Sequence, residues 1–444
     1  MSLQEYIPFY KRNLKVAGPV MLTQLGAAMA GIIDSIMVGH FGTTELAAVS
    51  FANSIFFTAM VFAFGALMGV TPLVGYAYVQ EKIERVGSLF RSGFLFALIL
   101  SLVLTALLAA FYWVFPYMGQ DQDLIRVATP YYFLATVSTL PFLLGHYAKQ
   151  FLEGLGNTFV AMVVTITLNL VNIPLNWIFI FGHCGAPAMG ATGAGVATLI
   201  IRLLQPLCLY LVLFLSARWR KYVRVGKCSG RTAWEVAKLG LPIGLQQTME
   251  IVAFTGSVTL VGWISKEAVA AHQIANHLSD LTFMVSCGIG AATTIRVAHQ
   301  YGAGKIYEMR MAAKASLHLG LVWSLFGAAV MIGGCRLIPL AFTSDPEVIE
   351  IASALLILSG LFQISDAMQC IGGAMLRGIA DVKVPVVIAF IAYIVIALPL
   401  GYLLMFPCGM GVRGMWVAFI VGLTTAAVLL HMRFWRIAPK VQQQ

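Results

Sequence analysis

Apolar runs long enough to cross a membrane recur along the chain, each closed by polar or Gly/Pro clusters. They fall near 16–38, 46–78, 90–114, 127–149, 160–182, 190–215, 239–264, 268–300, 314–334, 347–374, 384–406 and 412–434. About 20 apolar residues span the hydrocarbon as a helix. The pattern therefore predicts an all-α polytopic membrane protein with twelve transmembrane helices. The longer runs exceed what a perpendicular span needs and predict tilt, or extension past the bilayer. Lys11, Arg12 and Lys15 precede a run containing Ala28-Met29-Ala30, a small-residue pattern like that of a cleaved leader. The run continues to about Val38, so it reads as the first span.

Composition agrees with the pattern. Of 444 residues, 60% are hydrophobic and 10% charged, against roughly 25% charged in an ordinary soluble domain. No compact soluble core hides that much apolar surface, so lipid must be the solvent for much of it. The seven cysteines, Cys184, Cys208, Cys228, Cys287, Cys335, Cys370 and Cys408, fall singly. With no C-x-x-C and no His at ligand spacing, neither a disulfide framework nor a Cys-based metal site is expected, and they read as small apolar filler.

The chain also resembles itself. An offset of 223 residues pairs Pro19 with Pro242, Gln24 with Gln247, Val38-Gly39 with Val261-Gly262, and Ala52-Asn53 with Ala275-Asn276. The same offset pairs Gly65 with Gly288, Thr71 with Thr294 and Val74 with Val297. With small gaps, Leu152-x-Gly154 then matches Leu376-x-Gly378, and Pro174-Leu175 matches Pro399-Leu400. This divides the protein into an N-lobe (1–216, helices one to six), a basic linker (217–238) and a C-lobe (239–444, helices seven to twelve). Six spans is an even number, so the two six-helix bundles enter the membrane in the same orientation, as parallel repeats. Two such lobes around a central cleft give alternating access by rocking.

Charge orients the spans. Lys11, Arg12, Lys15, Arg433, Arg436 and Lys440 mark the ends, and the central segment holds Arg218, Arg220, Lys221, Arg224, Lys227, Arg231 and Lys238. Further cations follow even-numbered spans: Lys82, Arg85, Arg91, Lys149, Arg296, Lys305, Arg310, Lys314, Arg377 and Lys383. The opposite loops carry few cations and include Asp121, Asp123, Asp345 and Glu347. The positive-inside rule places both termini and the central segment in the cytoplasm of a plasma (bacterial inner) membrane protein. The net charge of +10 is thus a topology signal, and no nucleic-acid partner is implied.

Ionisable residues at membrane depth cost roughly 2.5–3.5 kcal/mol and mark function. Asp34, 19 residues past Lys15, stands roughly 28 Å along its helix at about 1.5 Å per residue. Glu250 and Asp366 each stand roughly 16–18 Å from the cytoplasmic edge on the same measure. They form a candidate pair for binding H⁺, or for cradling Na⁺ with hard oxygen ligands. Asn172 and Asn176, one turn apart and level with Asp34, make a second polar site, although interhelical hydrogen bonding explains two amides equally well. Repeat partners of the acids are not acidic: Asp34 pairs with Ser257, Glu250 with Ala27, and Asp366 with about Phe142. The fold does not require the carboxylates, so function explains them better.

Other polar residues are weighed with them. Asp280, in the eighth span, fits a cavity or a structural role. Gln24 and Gln247 are further candidates. Glu153, beside Lys149 at a helix end, reads as a surface or gate residue. Arg202, alone in the sixth span, reads as the partner of a carboxylate or as a snorkelling cation. No Walker A motif, nucleophile elbow or HExxH is present, so neither an ATP-driven pump nor an enzyme is expected, and no cofactor.

The stretches Ile33-Asp34-Ser35-Ile36-Met37-Val38-Gly39, Val171-Asn172-Ile173-Pro174-Leu175-Asn176-Trp177, Gly240-Leu241-Pro242 with Glu250, and Ala270-Ala271-His272-Gln273 resemble the multidrug and toxic compound extrusion (MATE) family. The NorM-like bacterial branch is the nearer part of it. Gly65-x-x-x-Gly69 and Asp366 with Leu376-Arg377-Gly378 extend the likeness over essentially the whole chain. The resemblance implies a secondary transporter, expected as a monomer, exporting cationic and amphiphilic drugs in exchange for Na⁺ or H⁺. It implies an N-lobe site of Asp34, Asn172 and Asn176, and a C-lobe cation site of Glu250 and Asp366. One departure stands out: Phe362 occupies the position, one turn before the second acid, where Na⁺-using relatives tend to carry Tyr. The alternative reading, a lipid-linked precursor flippase of the same superfamily, needs several basic residues in the cleft.

Overall fold

The computed structural model describes residues 3–438; Lys440 lies outside the described residues. These residues form helices α1 (Leu3–Phe41), α2 (Thr43–Met68), α3 (Val70–Val79), α4 (Ile83–Phe111), α5 (Gln122–Gly154), α6 (Thr158–Phe181) and α7 (Gly190–Leu215). A short α8 (Ala217–Val223) leads to α9 (Gly230–Gly262), α10 (Lys266–Gly302), α11 (Ile306–Gly333) and α12 (Pro346–Gly378). The chain then forms α13 (Lys383–Ala389), a π-helical segment (Phe390–Ala397), α14 (Leu398–Met405) and α15 (Val412–Ile437). No strand occurs among the described residues.

Twelve long helical runs result among the described residues, because α2 continues into α3 at Gly69 and α13, the π segment and α14 form one rod. Eleven of these runs are apolar and long enough to cross a membrane. The twelfth, α9, is as long, at 33 residues, but Gln246, Gln247, Thr248 and Glu250 dilute its hydropathy. Several helices outrun their apolar stretches. Thus Arg377, beyond the apolar run 347–374 and read as a loop cation, stands on α12, while Arg296, also read as a loop cation, falls inside the run 268–300 and on α10. The apolar boundary marks where lipid ends, and backbone hydrogen bonding carries the helix further. The loop acids act locally, since Asp121 and Asp345 accept from the N–H of Asp123 (3.3 Å) and Glu347 (2.9 Å) as N-caps of α5 and α12. Asn157 and Ser265 cap α6 and α10 in the same way.

The chain packs into two compact units, one spanning Leu22–Gly244, the other formed by residues up to Met21 together with those from Leu245 on. In the first unit α5 runs through the middle, against α2, α4 and α7. The opening half of α9 also belongs to this unit. A Cβ on Gly65 would lie 2.7 Å from the Gly244 Cα, and one on Gly69 would lie 2.7 Å from the Gly240 Cα. Two glycine pairs thus let the backbones cross in contact. The basic segment is anchored here as well, by an Arg85–Glu235 ion pair and by Arg91 Nη2 donating to the Arg224 carbonyl (2.8 Å).

In the second unit α12 is central, packed on α10, α11 and α15. The opening half of α1 belongs to it: Asn13 Nδ2 donates to the Ala312 carbonyl and to Ser316 Oγ, both at 2.9 Å. Gly288, the repeat partner of Gly65, would place a Cβ 2.9 Å from the Met21 backbone nitrogen. Met21 is the repeat partner of Gly244, so the two units use the same crossing.

Candidate functional site

In the first unit, α1 and α6 bring Asp34, Asn172 and Asn176 together. The 3.6-residue period stacks Asn172 and Asn176 on one face of α6, on either side of Pro174, which frees a carbonyl of the preceding turn. Asn176 Nδ2 donates one hydrogen to Asp34 Oδ1 (2.5 Å) and the other to Asn172 Oδ1 (3.0 Å). Two acceptors on that nitrogen fix the amide's orientation. Its own Oδ1 is buried without a partner among the described residues, an acceptor suited to a ligand N–H. Asp34 is half-buried, and a cavity lined by its helix neighbours Gly31, Ile32, Ser35 and Ile36 opens on α1.

Arg202 supplies the opposing charge. Its guanidinium packs over the rings of both Phe56 and Phe142, 4.4 and 4.5 Å from their centroids. Nη1 donates to Ser138 Oγ (2.7 Å), and its charge acts on Asp34 and Tyr131. Tyr131 in turn donates to Asn53 Oδ1 (2.9 Å). Among the described residues Arg202 closes no ion pair with a carboxylate, and Asp34 acts on it only through space.

In the second unit, Glu250 of α9 and Asp366 of α12 are both buried and close enough to repel. Two groups that sequence reasoning missed join them. The Tyr393 hydroxyl, on the π-helical segment, lies beside the Glu250 carboxylate without closing a hydrogen bond of ordinary geometry. Arg377, buried on the last turn of α12, acts on Glu250. The thiols of Cys287 and Cys370 lie against each other next to the two acids, with Cys370 Sγ 3.7 Å from the Ser286 carbonyl. The Cys370 spacing from Asp366, one turn on, was a readable signal; the π turn that aims Tyr393 was not.

Phe362 has other work, packing edge-to-face on Phe254, Trp416 and Phe419 with centroids 6.1, 5.5 and 6.2 Å away. At the repeat partner of Asp34, Ser257 joins a closed network. Trp416 Nε1 donates to His272 Nδ1 (3.1 Å), which leaves the proton of the neutral ring on Nε2, facing Ser257 Oγ (3.2 Å). Ser257 passes its own hydrogen to the Phe254 carbonyl (2.7 Å). His272 of the AAHQ stretch is a satisfied core histidine joining α9, α10 and α15.

The remaining candidates stand apart. Asp280 is exposed on α10, though its charge reaches Asp366. Gln24 and Gln247 are half-buried and join neither cluster among the described residues; buried Gln246 lies nearer Gly373 and Arg377. Glu153, read as a surface or gate residue, is only 3% exposed and pairs with buried Lys149 at 3.8 Å. Burial of the α5 end against α3 overrides its position at the helix terminus.

Comparison with known proteins agrees with this architecture. A family model, MatE, matches residues 19–178 and 242–403; the two segments open at Pro19 and Pro242, which the 223-residue offset pairs. The multidrug resistance protein MdtK of Yersinia pseudotuberculosis serotype O:1b (strain IP 31758) is 34% identical, covering 97% of this chain and 96% of its own. MdtK of Yersinia enterocolitica serotype O:8 / biotype 1B (strain NCTC 13174 / 8081) gives the same identity and coverage. The crystal structure of the eukaryotic MATE transporter AtDTX14 superposes with a TM-score of 0.88 at 21% identity, covering 99% of both chains. A MOP superfamily transporter from Pyrococcus furiosus Vc1 (DSM3638) does so with 0.88 at 20% identity, covering 98% of this chain and 97% of its own. Those two identities speak to the fold alone, but the family match and the 34% relatives span nearly the whole sequence. The chain belongs to the MatE family of multidrug and toxic compound extrusion transporters.

Proposed function

We propose that the protein exports cationic and amphiphilic drugs and other toxic organic compounds in exchange for inward Na⁺ or H⁺. The two lobes, 1–216 and 239–444, alternate access across the bacterial inner membrane. The protein acts as a monomer with both termini cytoplasmic, as the basic loops suggest, and without a cofactor. The observation that carries this reading is the clustering of incompletely compensated carboxylates within spans, Asp34 in one unit and Glu250 with Asp366 in the other.

An organic cation would pair with Asp34 and donate to Asn176 Oδ1, in competition with Arg202 for the same charge. The coupling cation would enter at Glu250 and Asp366, either as a proton shared between them or as Na⁺ held by their oxygens and the Tyr393 hydroxyl. Uptake from outside relieves the repulsion between the two acids, which favours drug release and return to the inward-facing state. The flippase alternative needs a free cationic cluster, whereas Arg202 and Arg377 each act on a carboxylate of their own unit.

The test is reconstitution in proteoliposomes with a fluorescent organic cation, under separately imposed Na⁺ and H⁺ gradients. Exchange driven by at least one gradient is expected. Its absence under both, with correctly inserted protein, overturns the proposal.

A further inference from the structure

A groove of about 530 Å³ runs between α12 and α15, walled by Met368, Ala427, Val428 and Met432 and ending at Trp435. At 100° per residue, Ile364 and Met368 lie on the face of α12 opposite Asp366. Ile357 and Leu361 extend that face and are exposed, as are Val428 and Met432 on α15. The groove thus opens away from the acidic cluster, on apolar surface suited to lipid.

Its far end is cationic. Arg310 and Lys314 of α11 stand 5.8 and 5.9 Å from the Trp435 ring. Neither has a carboxylate within ion-pair distance among the described residues: Glu308 pairs with Arg12 (3.7 Å) and Asp381 with Arg433 (2.8 Å). Apolar walls, an interfacial Trp and two uncompensated cations complement an acyl chain with a phosphate head.

The repeat shows that the opening is not a requirement of the fold. Near the ends of the lobes an offset of 221 aligns Gly190 with Gly411 and Gly193 with Gly414, and hence Tyr210 with His431 and Phe214 with Trp435. Tyr210 donates to the Leu144 carbonyl (3.2 Å), and His431 Nε2 meets the matching Met368 carbonyl (3.1 Å). In the first unit Tyr210 and Phe214 then pack edge-to-face on Phe90 and Phe94, with centroids 6.0–6.2 Å apart, and fill the space. The matching positions on α11 are Ala313 and Leu317, too small to do so.

We propose that this groove is a binding site for an anionic phospholipid of the cytoplasmic leaflet, its acyl chain along Met368 and Val428 and its phosphate against Arg310 and Lys314. This is independent of the transport reading. The full chain is reconstituted in vesicles carrying bromine-labelled acyl chains on either phosphatidylglycerol or phosphatidylcholine. Trp435 emission is isolated by difference from Trp435→Phe. Quenching several-fold stronger with phosphatidylglycerol is expected, with the excess lost in Arg310→Gln/Lys314→Gln. If that double variant does not fold, Lys314→Gln alone should reduce the excess. Equal quenching by both lipids, an excess that survives charge removal, or its displacement by a saturating organic cation would each overturn the proposal; the last would make the groove a drug site.

Discussion

Packed over the rings of Phe56 and Phe142, Arg202 gains about 0.5–2 kcal/mol per cation–π contact, yet among the described residues it makes one hydrogen bond, to Ser138, from five N–H donors. Such a side chain is held as a charge more than as a hydrogen-bonding group, and the charge it faces is Asp34. Replacing it with glutamine (Arg202→Gln) removes the internal competitor. Apparent affinity for an organic cation should rise about tenfold, equivalent to about 1.4 kcal/mol, while turnover falls; an affinity that drops instead would mean that Arg202 helps to bind substrate. Asp34→Asn should leave membrane insertion intact and reduce drug transport in proteoliposomes to background, and retained transport would remove Asp34 from the site. His272→Ala, by contrast, strands the Trp416 N–H and should cost roughly 1–3 kcal/mol of stability, read as a lower melting temperature, with drug specificity unchanged. The carboxylates and amides were legible because polarity is expensive in an apolar run. Tyr393 and Arg377 were not: a tyrosine or a helix-end arginine is ordinary in a membrane sequence, and only the π turn and the extra length of α12 bring them to Glu250.

At the scale of elements, the sharpest constraint is the crossing of α9 over α2 and α3 at Gly65, Gly69, Gly240 and Gly244. The atoms a side chain would meet there are backbone, which cannot rotate aside. Gly240→Val or Gly65→Leu should therefore abolish the monodisperse peak in size-exclusion chromatography. Gly18→Ala, where a Cβ meets nothing within 4 Å, should be tolerated and serves as the control. Normal folding of the crossing variants would show that the helices can separate without penalty. The twelve long runs were visible in the sequence because a span needs continuous apolarity, a signal no other element imitates at that length. Their ends were less visible: α1 starts well before its apolar core and α12 ends beyond it, since the helix stops where its carbonyls find caps and not where lipid ends. For the same reason α9 reads as a weaker span than its length suggests, with the polar turn from Gln246 to Glu250 counting against it.

Across the whole molecule the informative quantity is the difference between two units built on one plan. Where the first unit places Asp34, the second has Ser257 in a closed network; where the second places Glu250 and Asp366, the first has Ala27 and about Phe142. Similarity supplies the scaffold, and each departure places charge in one half only; under the proposed function, drug and coupling ion would not need to share one pocket to influence each other. Two helices belong to both units: α1 passes from one to the other between Met21 and Leu22, and α9 between Gly244 and Leu245. Glu250 stands five residues past that second point, under two turns of helix at 3.6 residues per turn, and Asp34 lies on the helix that makes the reciprocal passage. A change of charge at Glu250 therefore acts on an element anchored in both units. If coupling runs this way, Glu250→Gln should uncouple the protein rather than blind it. Binding of an organic cation, measured by fluorescence anisotropy in detergent, should stay within about threefold of wild type, a change of under 1 kcal/mol. Transport driven by the imposed ion gradient should meanwhile fall to the rate seen with no gradient. A variant that loses binding and gradient response together would place Glu250 in the drug site; one that keeps both would leave the Glu250–Asp366 pair as packing, with the coupling ion entering elsewhere.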